Sequence, residues 1–415
     1  LNGLSGYLGV RVSPPQTGCT PGLLGNDPGG LQDGAAVARI RRLAVRAFRN
    51  LTDADLELPP PGLVLVGRNG HGKTSFLEAL LYPEVFRSFR GGRDRELVRF
   101  GEAGFHVQVE TDGSDEAGGE VAGRWAASGC EAGGKRARMV AAGYDVRTKE
   151  KRVVVGGLPA ARLAEAIGIV RGVVLSPDDV QLVSGGARGR RQYLDVLLSL
   201  VVPGYVEALG EYRRALRHRC LAGADVADWE ALLARSGAKV AAGRRAWAER
   251  WAARYREHCR AIGETAAAEL CYASRGTTGA PELAEALERS REKDLARGHT
   301  SVGPHRDDLR LLLGGRELRV YGSAGQWRTA AMALRLVEAE TLAEAGGGAG
   351  AFPVLCLDDA FAELDAARSA QLGALVEDLA ARGSQVFATV PRDGEMPAAV
   401  SALPKWRIED GTIEA

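Results

Sequence analysis

The sequence predicts an α/β fold assembled from both ends of the chain, with a helical lobe inserted between them. Three observations carry that expectation. The apolar run Leu63-Val64-Leu65-Val66 feeds the glycine-rich loop Gly67-Arg68-Asn69-Gly70-His71-Gly72-Lys73-Thr74-Ser75, and residues 76–81 follow with helical spacing. A second buried-type strand, residues 353–357, ends in the acid pair Asp358-Asp359. Between them, from Arg190 to about Cys271, the pattern is helical, rich in Arg and Ala and poor in turn signals.

A strand, a glycine-rich loop and a helix form the context in which G-x-x-x-x-G-K-[ST] means a phosphate cradle. Gly67 and Gly72 free the backbone to turn N–H groups inward, and the helix N-terminus adds its partial positive charge. Lys73 is placed for the β- and γ-phosphates, and the Thr74 hydroxyl for Mg²⁺. The whole run from Gly67 through Arg68, Asn69, Gly70, His71, Gly72, Lys73 and Thr74 to Ser75 is the expected binding loop for a nucleoside triphosphate. His71 fills a variable position of it.

The remaining elements follow in order. Residues 1–37, rich in Gly and Pro, read as a disordered extension or a wrongly extended reading frame. Strands are expected over 38–46, 56–58 and 63–66, then over 105–110 after a basic stretch holding Arg87, Arg90 and Arg93. A hairpin-type loop over 111–119 and short strands near Arg124, Met139 and Val153 suggest an antiparallel side sheet. Val173-Val174-Leu175 is a buried-type strand. Ser176, Pro177 and Asp179 then spell a helix start. Helices are expected over 193–199, 205–222, 229–268 and 282–295, and strands over 309–313 and 318–321. A helix over 326–345, a strand over 354–357, a helix over 366–381 and a strand over 385–389 complete the pattern.

Composition sets outer limits. The 415 residues are 45% apolar and 26% charged, as in an ordinary globular protein. The net charge of +1 says nothing of partners, so any nucleic-acid contact needs a local basic surface. Cys19, Cys130, Cys220, Cys259, Cys271 and Cys356 show no metal-type spacing and read as reduced thiols of a cytosolic protein. No apolar run is long enough to span a bilayer, and no signal peptide is visible. No membrane partner is expected.

Roughly three hundred residues separate Lys73 from Asp358, far more than a compact nucleotide domain needs. A large insertion therefore lies between the two motifs. In a phosphate-loop fold Asp358 would hold the Mg²⁺ shell with Thr74, and Asp359 would orient or deprotonate the attacking water. The alternative is a strand end whose acids only cap the next turn. Tyr321-Gly322-Ser323-Ala324-Gly325-Gln326 places small residues before a long helix, which is either an anion site or a plain helix cap. In this order along the chain, it resembles the signature motif of ABC-type ATPases, and Ala362-Glu363-Leu364-Asp365 resembles their D-loop. The resemblance implies a head-to-head dimer in which Ser323, Gly325 and Gln326 of one copy close over the γ-phosphate held by Lys73 of another.

With further segments added, the chain resembles the RecF family of SMC-like DNA repair ATPases. The carrying segments are Arg46-Ala47-Phe48-Arg49-Asn50-Leu51, the phosphate loop, Leu175 to Val183, Arg190-Arg191-Gln192-Tyr193-Leu194-Asp195 and Tyr212 to Arg219. Thr300-Ser301-Val302-Gly303-Pro304-His305-Arg306-Asp307-Asp308-Leu309 is the most specific, and all stand in family order. The resemblance implies an α/β P-loop NTPase of the ABC/SMC-type ATPase head class with an inserted helical lobe. Head parts would span 38–185 and 296–415, and the lobe 186–295. ATP and Mg²⁺ are the implied cofactors. Double-stranded and gapped DNA, an ATP-dependent homodimer and RecR and RecO mediator proteins are the implied partners, with weak DNA-stimulated ATPase activity in the cytoplasm.

The chain departs from the family pattern at Ala324 and Trp327, where glutamines are usual, and at Val390-Pro391. No histidine follows Phe387-Ala388-Thr389, so Thr389 takes at most a weaker version of the switch role. These changes bear on the rate of closure, and they leave open a non-hydrolysing, ATP-stabilised DNA-binding scaffold. The long insert and missing histidine disfavour a transporter subunit. Arg87, Arg90, Arg93, Arg188, Arg190, Arg191, Arg213, Arg214, Arg217 and Arg219 are candidates for sequence-neutral phosphate contacts, or sit on solvated helix faces paired with acids such as Glu207, Glu211 and Glu230. Asp178 and Asp179 either couple the nucleotide to the lobe or cap a helix. His305, Asp307 and Asp308 read as a turn-fixing network, and Trp229, Trp247 and Trp251 as a packing face.

Overall fold

The computed structural model describes residues 39–112, 131–132, 135–136, 138–219, 226–274, 279–346, 352–362 and 364–415. The extension expected over 1–37, most of the 111–119 loop, the strand near Arg124 and Glu363 lie outside them. In chain order the first elements are β1 (Ile40–Arg46), β2 (Ala54–Glu57), β3 (Gly62–Val66), α1 (Lys73–Val85), α2 (Asp94–Leu97), β4 (Gly104–Thr111), β5 (Glu131–Ala132), β6 (Lys135–Arg136), β7 (Arg138–Asp145), β8 (Lys151–Val155) and β9 (Leu158–Pro159). The middle holds β10 (Gly172–Leu175), α3 (Val180–Ser184), α4 (Ala187–Val201), α5 (Tyr205–Arg219), α6 (Val226–Ala261), β11 (Ala268–Ala273) and α7 (Ala280–Arg297). The last part holds β12 (Asp308–Leu313), β13 (Arg316–Glu317), α8 (Leu318–Tyr321), α9 (Ala324–Ala345), β14 (Val354–Asp358), α10 (Ala366–Ala381), β15 (Val386–Val390), β16 (Lys405–Glu409) and β17 (Thr412–Glu414).

Two sheets sandwich α1. One runs β10-β14-β15-β3-β16 in parallel, with β17 antiparallel at its edge. β3, β10, β14 and β15 are buried along their whole length, which suits their unbroken apolar runs. The other sheet, β2-β1-β4-β7-β8-β9, is antiparallel, and the alternating sequence of β4 gives an alternating burial pattern. Phe76, Leu77, Leu80 and Leu81 of α1 share one core with both sheets. A helix walled on both sides is buried nearly all round, and this one is, with the buried Glu78 carboxylate paired to Arg49.

The far face of the parallel sheet carries the second core. There α4, α5 and α6 pack in one cluster with α9, β10 and β14. Trp247 is buried in that cluster, donating its indole N–H to the Thr341 hydroxyl at 3.1 Å and meeting Tyr193 edge-on. Trp229 and Trp251 pack, partly buried, against the same cluster, and Trp229 also stacks on His218 at a centroid distance of 4.7 Å.

Two sequence expectations are corrected. The helix expected to run to Ala268 ends at Ala261, where Gly263 takes a φ of +100°, and Ala268–Ala273 is instead a strand paired with β12. The strand expected over 318–321 is a single helical turn; only Leu318 of it is buried, and its carbonyl accepts the Trp327 indole N–H at 2.6 Å. Local β propensity loses to that tertiary anchor.

Arg190 and Arg219 are corrections of another kind. Both were candidates for DNA phosphates, and both are buried. Arg190 makes a forked pair with Asp308 at 2.8 and 2.9 Å. Arg219 is 0% exposed and bonds Glu230, Asp294, Thr300 and the Leu287 carbonyl, tying α5, α6 and α7 together. A guanidinium removed from water needs such partners, and having them it has no donor to spare for a ligand. The His305 segment is the turn-fixing network. The Thr300 carbonyl can only accept, so His305 Nε2 carries the proton, and Nδ1 accepts from the Tyr212 hydroxyl at 2.6 Å. Tyr272 donates to Asp307 at 2.6 Å.

Candidate functional site

Because β3 and β14 run parallel on either side of β15, the loop after β3 and the acids ending β14 emerge at the same, C-terminal end of the sheet. Thr74 Oγ1 sits 3.0 Å from Asp358 Oδ1, joining residues 284 positions apart. Lys73, 4% exposed, donates to the Gly67 carbonyl at 2.7 Å and to Asn69 Oδ1 at 3.1 Å, with Asp359 Oδ2 3.8 Å away. Thr389, at the end of β15, bonds Asp358 at 3.1 Å and receives the Asp359 backbone N–H at 3.0 Å. Asp359 is a non-glycine residue at a φ of +47°, a strained conformation that the Thr389 contact holds in place.

The electrostatics follow from burial. Desolvation pushes the Asp358 carboxyl above its ordinary range, against hydrogen bonds from Thr74 and Thr389 that pull it down; Asp359 adds to the rise, and the charge of Arg90 opposes it. Asp359 is also raised, again by burial first, with the Lys73 charge pulling the other way. The buried Asp358 carboxylate beside the Thr74 hydroxyl offers two hard oxygen donors, of the kind that would suit a Mg²⁺ ion, with the Lys73 charge nearby on the Asp359 side.

The loop itself is held open from outside. Gly70 and Gly72 have φ of +86° and +109°, a region that only glycine enters freely. Asn50 accepts from Ser75 Oγ at 2.8 Å and donates to the Gly70 carbonyl at 2.9 Å. Arg68, Asn69 and Gly70 are exposed, whereas Gly72, Lys73 and Ser75 are buried.

The Ser323 turn stands differently. Ser323 caps α9, accepting from the Gln326 N–H at 3.3 Å, and the Gln326 side chain accepts the Ser323 N–H at 2.9 Å. Gly325 lies against Arg368, which pairs with Asp365 at the start of α10. Among the described residues, the hydrogen bonds of Ser323 and Gln326 are made within this turn and none reaches the phosphate loop. The structure thus brings Lys73, Thr74, Asp358 and Asp359 together, and leaves the exposed Ser323 and the half-buried Gly325 and Gln326 without a hydrogen bond to any of them among the described residues.

Sequence reasoning gave no role to Asn50 and only a weak one to Thr389. Asn50 was visible only as part of the Arg46–Leu51 segment. The Asp410-Gly411 turn was also passed over, although a DG pair between alternating residues is a hairpin signal.

No protein-family model matches the chain. A curated relative, the DNA replication and repair protein RecF of Anaeromyxobacter dehalogenans, is 37% identical over 393 residues, covering 90% of this chain and 98% of the relative. The chain belongs to the RecF family. The RecF of Thermomicrobium roseum is 32% identical over 425 residues, covering 90% of this chain and 99% of its own. The solved structure of the recombination mediator protein RecF with ATP, in the RecFOR pathway, matches with a TM-score of 0.78 at 28% identity, covering 92% of this chain and 98% of that one. An Smc head bound to the C-terminal winged-helix domain of ScpA matches with a TM-score of 0.51 at 12% identity over 91% and 96% of the two chains, which speaks for the fold alone. The fold of this RecF-family chain is the ABC/SMC-type ATPase head with an inserted helical lobe, as expected. Among the described residues no helix is long and apolar enough to cross a membrane.

Proposed function

We propose that this RecF-family chain is an ATP-dependent DNA-binding protein that dimerises on ATP, binds double-stranded and gapped DNA near single-strand/double-strand junctions, and acts with RecO- and RecR-type mediators in cytoplasmic gap repair. The observation that carries the nucleotide part is the 3.0 Å contact of Thr74 with Asp358, beside Lys73 and Asp359. Two motifs 284 positions apart meet there, which supports a shared role toward a triphosphate and its cation.

In this reading Lys73 leaves its loop acceptors for the β- and γ-phosphates, and the N–H groups from Asn69 to Ser75 line the phosphate chain. Thr74 and Asp358 hold Mg²⁺, which neutralises phosphate charge when bound. Asp359, strained and tethered by Thr389, orients water for slow hydrolysis. Ser323, Gly325 and Gln326 act across the dimer on a second copy's γ-phosphate. The head spans 38–185 and 296–415 and the lobe 186–295. Exposed Arg87, Arg90, Arg93, Arg188, Arg214 and Arg217 supply salt-sensitive phosphate contacts, since burial has removed Arg190 and Arg219, and half-buried Arg191 and Arg213 donate to the Asp307 carbonyl and to Asp195.

Sizing the protein with and without ATP and Mg²⁺ tests the reading. A shift to a dimer only with both is expected; a monomer throughout overturns the composite site. Turnover with and without gapped DNA separates this ATPase from a non-hydrolysing scaffold. Trp327 does not favour the scaffold, because its indole is spent anchoring Leu318.

A further inference from the structure

We infer that the C-terminal hairpin is a clamp on the phosphate loop, and that His71 is a positioning residue through which it acts. The inference rests on the nucleotide reading of this site and adds a part of the chain that the motifs do not touch. β16 pairs with β3 directly before the loop, and its Ile408 lies under the cradle. A Cβ placed on Gly67 would meet the Ile408 carbonyl oxygen at 2.5 Å, and one on Gly72 would meet Ile408 Cδ1 at 3.1 Å. The turn joining β16 to β17 is Asp410-Gly411, both at positive φ (+47° and +82°), the geometry of a two-residue hairpin.

That turn faces His71. The Gly411 N–H donates to the His71 carbonyl at 3.0 Å, and the Asp410 N–H donates to His71 Nδ1 at 3.1 Å. The Gly411 carbonyl in turn accepts from the Thr52 backbone N–H at 2.9 Å and the Thr52 hydroxyl at 3.0 Å, which locks the hairpin to the segment carrying Asn50. The consequence is geometric. In a planar trans peptide the carbonyl and the following N–H point in opposite directions. With the His71 oxygen pinned toward the hairpin, the Gly72 N–H is aimed away from it, toward the helix N-terminus where phosphate binds. The imidazole adds a second attachment, so loop and hairpin move as one piece. ATP contacts made by the loop therefore depend on residues 339 positions away in the chain.

The test uses the full chain, ATP with Mg²⁺, equilibrium binding and amide hydrogen exchange. In the wild type, ATP should slow exchange both in residues 67–75 and in the hairpin 405–415. His71→Ala removes the ring acceptor and should weaken ATP binding about fivefold, the worth of one hydrogen bond. His71→Asn, whose Oδ1 stands near the place of Nδ1, should restore it to within about twofold. The melting temperature without ATP should differ little among the three, so a folding defect is distinguishable. Protection confined to 67–75, or equal affinity of wild type and His71→Ala, or no rescue by His71→Asn, overturns the clamp. Absence of ATP binding by the wild type removes the nucleotide reading and the clamp with it.

Discussion

The phosphate loop and the Ser323 turn are both small-residue turns at a helix N-terminus, yet the chain treats them in opposite ways. The loop is braced from every side: Asn50 bridges Ser75 and Gly70, the hairpin grips His71, and Lys73 is tucked against its own carbonyls. At the Ser323 turn, Ser323 is exposed and Gln326 half-buried, and each side chain accepts only the other residue's backbone N–H. Beside it Val320 and Tyr321 are 57% and 70% exposed. In the proposed reading the charge-neutralising half of a triphosphate site lies within one chain, and a second copy would supply the other half.

The sharpest way to break the comparison is at the loop. Lys73→Ala removes the buried cation 3.8 Å from Asp359, and ATP affinity should fall at least about a hundredfold, since a buried charge-assisted contact goes unreplaced. Equilibrium binding checks it; affinity within tenfold of wild type would count against the loop. Asp359→Asn keeps the shape and the Thr389 tether but loses the base. Turnover should drop by about a hundredfold or more while the ATP-dependent dimer persists, read by sizing and phosphate release. Normal turnover would move the water-orienting role elsewhere.

A smaller effect sits where the two helices meet. Glu84, near the end of α1, accepts the Gly172 N–H at 2.8 Å and faces Glu338 and Arg335 of α9 and Arg171 before β10. Burial raises its pKa from 4.5 to about 8. Between those values the native state keeps a proton that the unfolded chain has released, so this group's contribution to stability is full below pH 4.5 and is lost as pH rises through about 8. Glu84→Gln should flatten that slope and gain up to a few kcal/mol at alkaline pH, measured by denaturant unfolding across the range. An unchanged slope would show that the carboxyl ionises freely.

What the sequence made legible was whatever is contiguous. The loop, the acid strand, the helix over 366–381 and the cap at Ser323 are local patterns, and each stands where its pattern placed it. Ser176 and Asp179 likewise form the reciprocal cap their spacing announced, the Ser176 N–H reaching Asp179 at 2.8 Å. Asp179 also accepts from Arg335 at 2.6 Å, so the cap is tied to α9, and spacing alone does not show that. Burial of charge was equally opaque: Arg219 and Arg217 look alike in sequence, and one is sealed among acids while the other faces water. The sheet order was beyond reach for the same reason. Nothing local says that β15 will slide between β3 and β14, although the site depends on it.

The smallest effect separates the two readings of the Ser323 turn. As a helix cap, Ser323 is worth about 1 kcal/mol, and Ser323→Ala should lower stability by about that much. Glycine is a nearly equal cap, so Ser323→Gly should cost only a few tenths of a kcal/mol. Neither variant keeps the hydroxyl. If the turn is only a cap, ATP-dependent dimerisation should follow stability, with Gly close to wild type and Ala slightly impaired. If the hydroxyl reaches a partner's phosphate, both variants should lose dimerisation alike while Gly keeps its melting temperature. Reading both quantities on the same three proteins distinguishes a turn that ends a helix from one that completes another molecule's site.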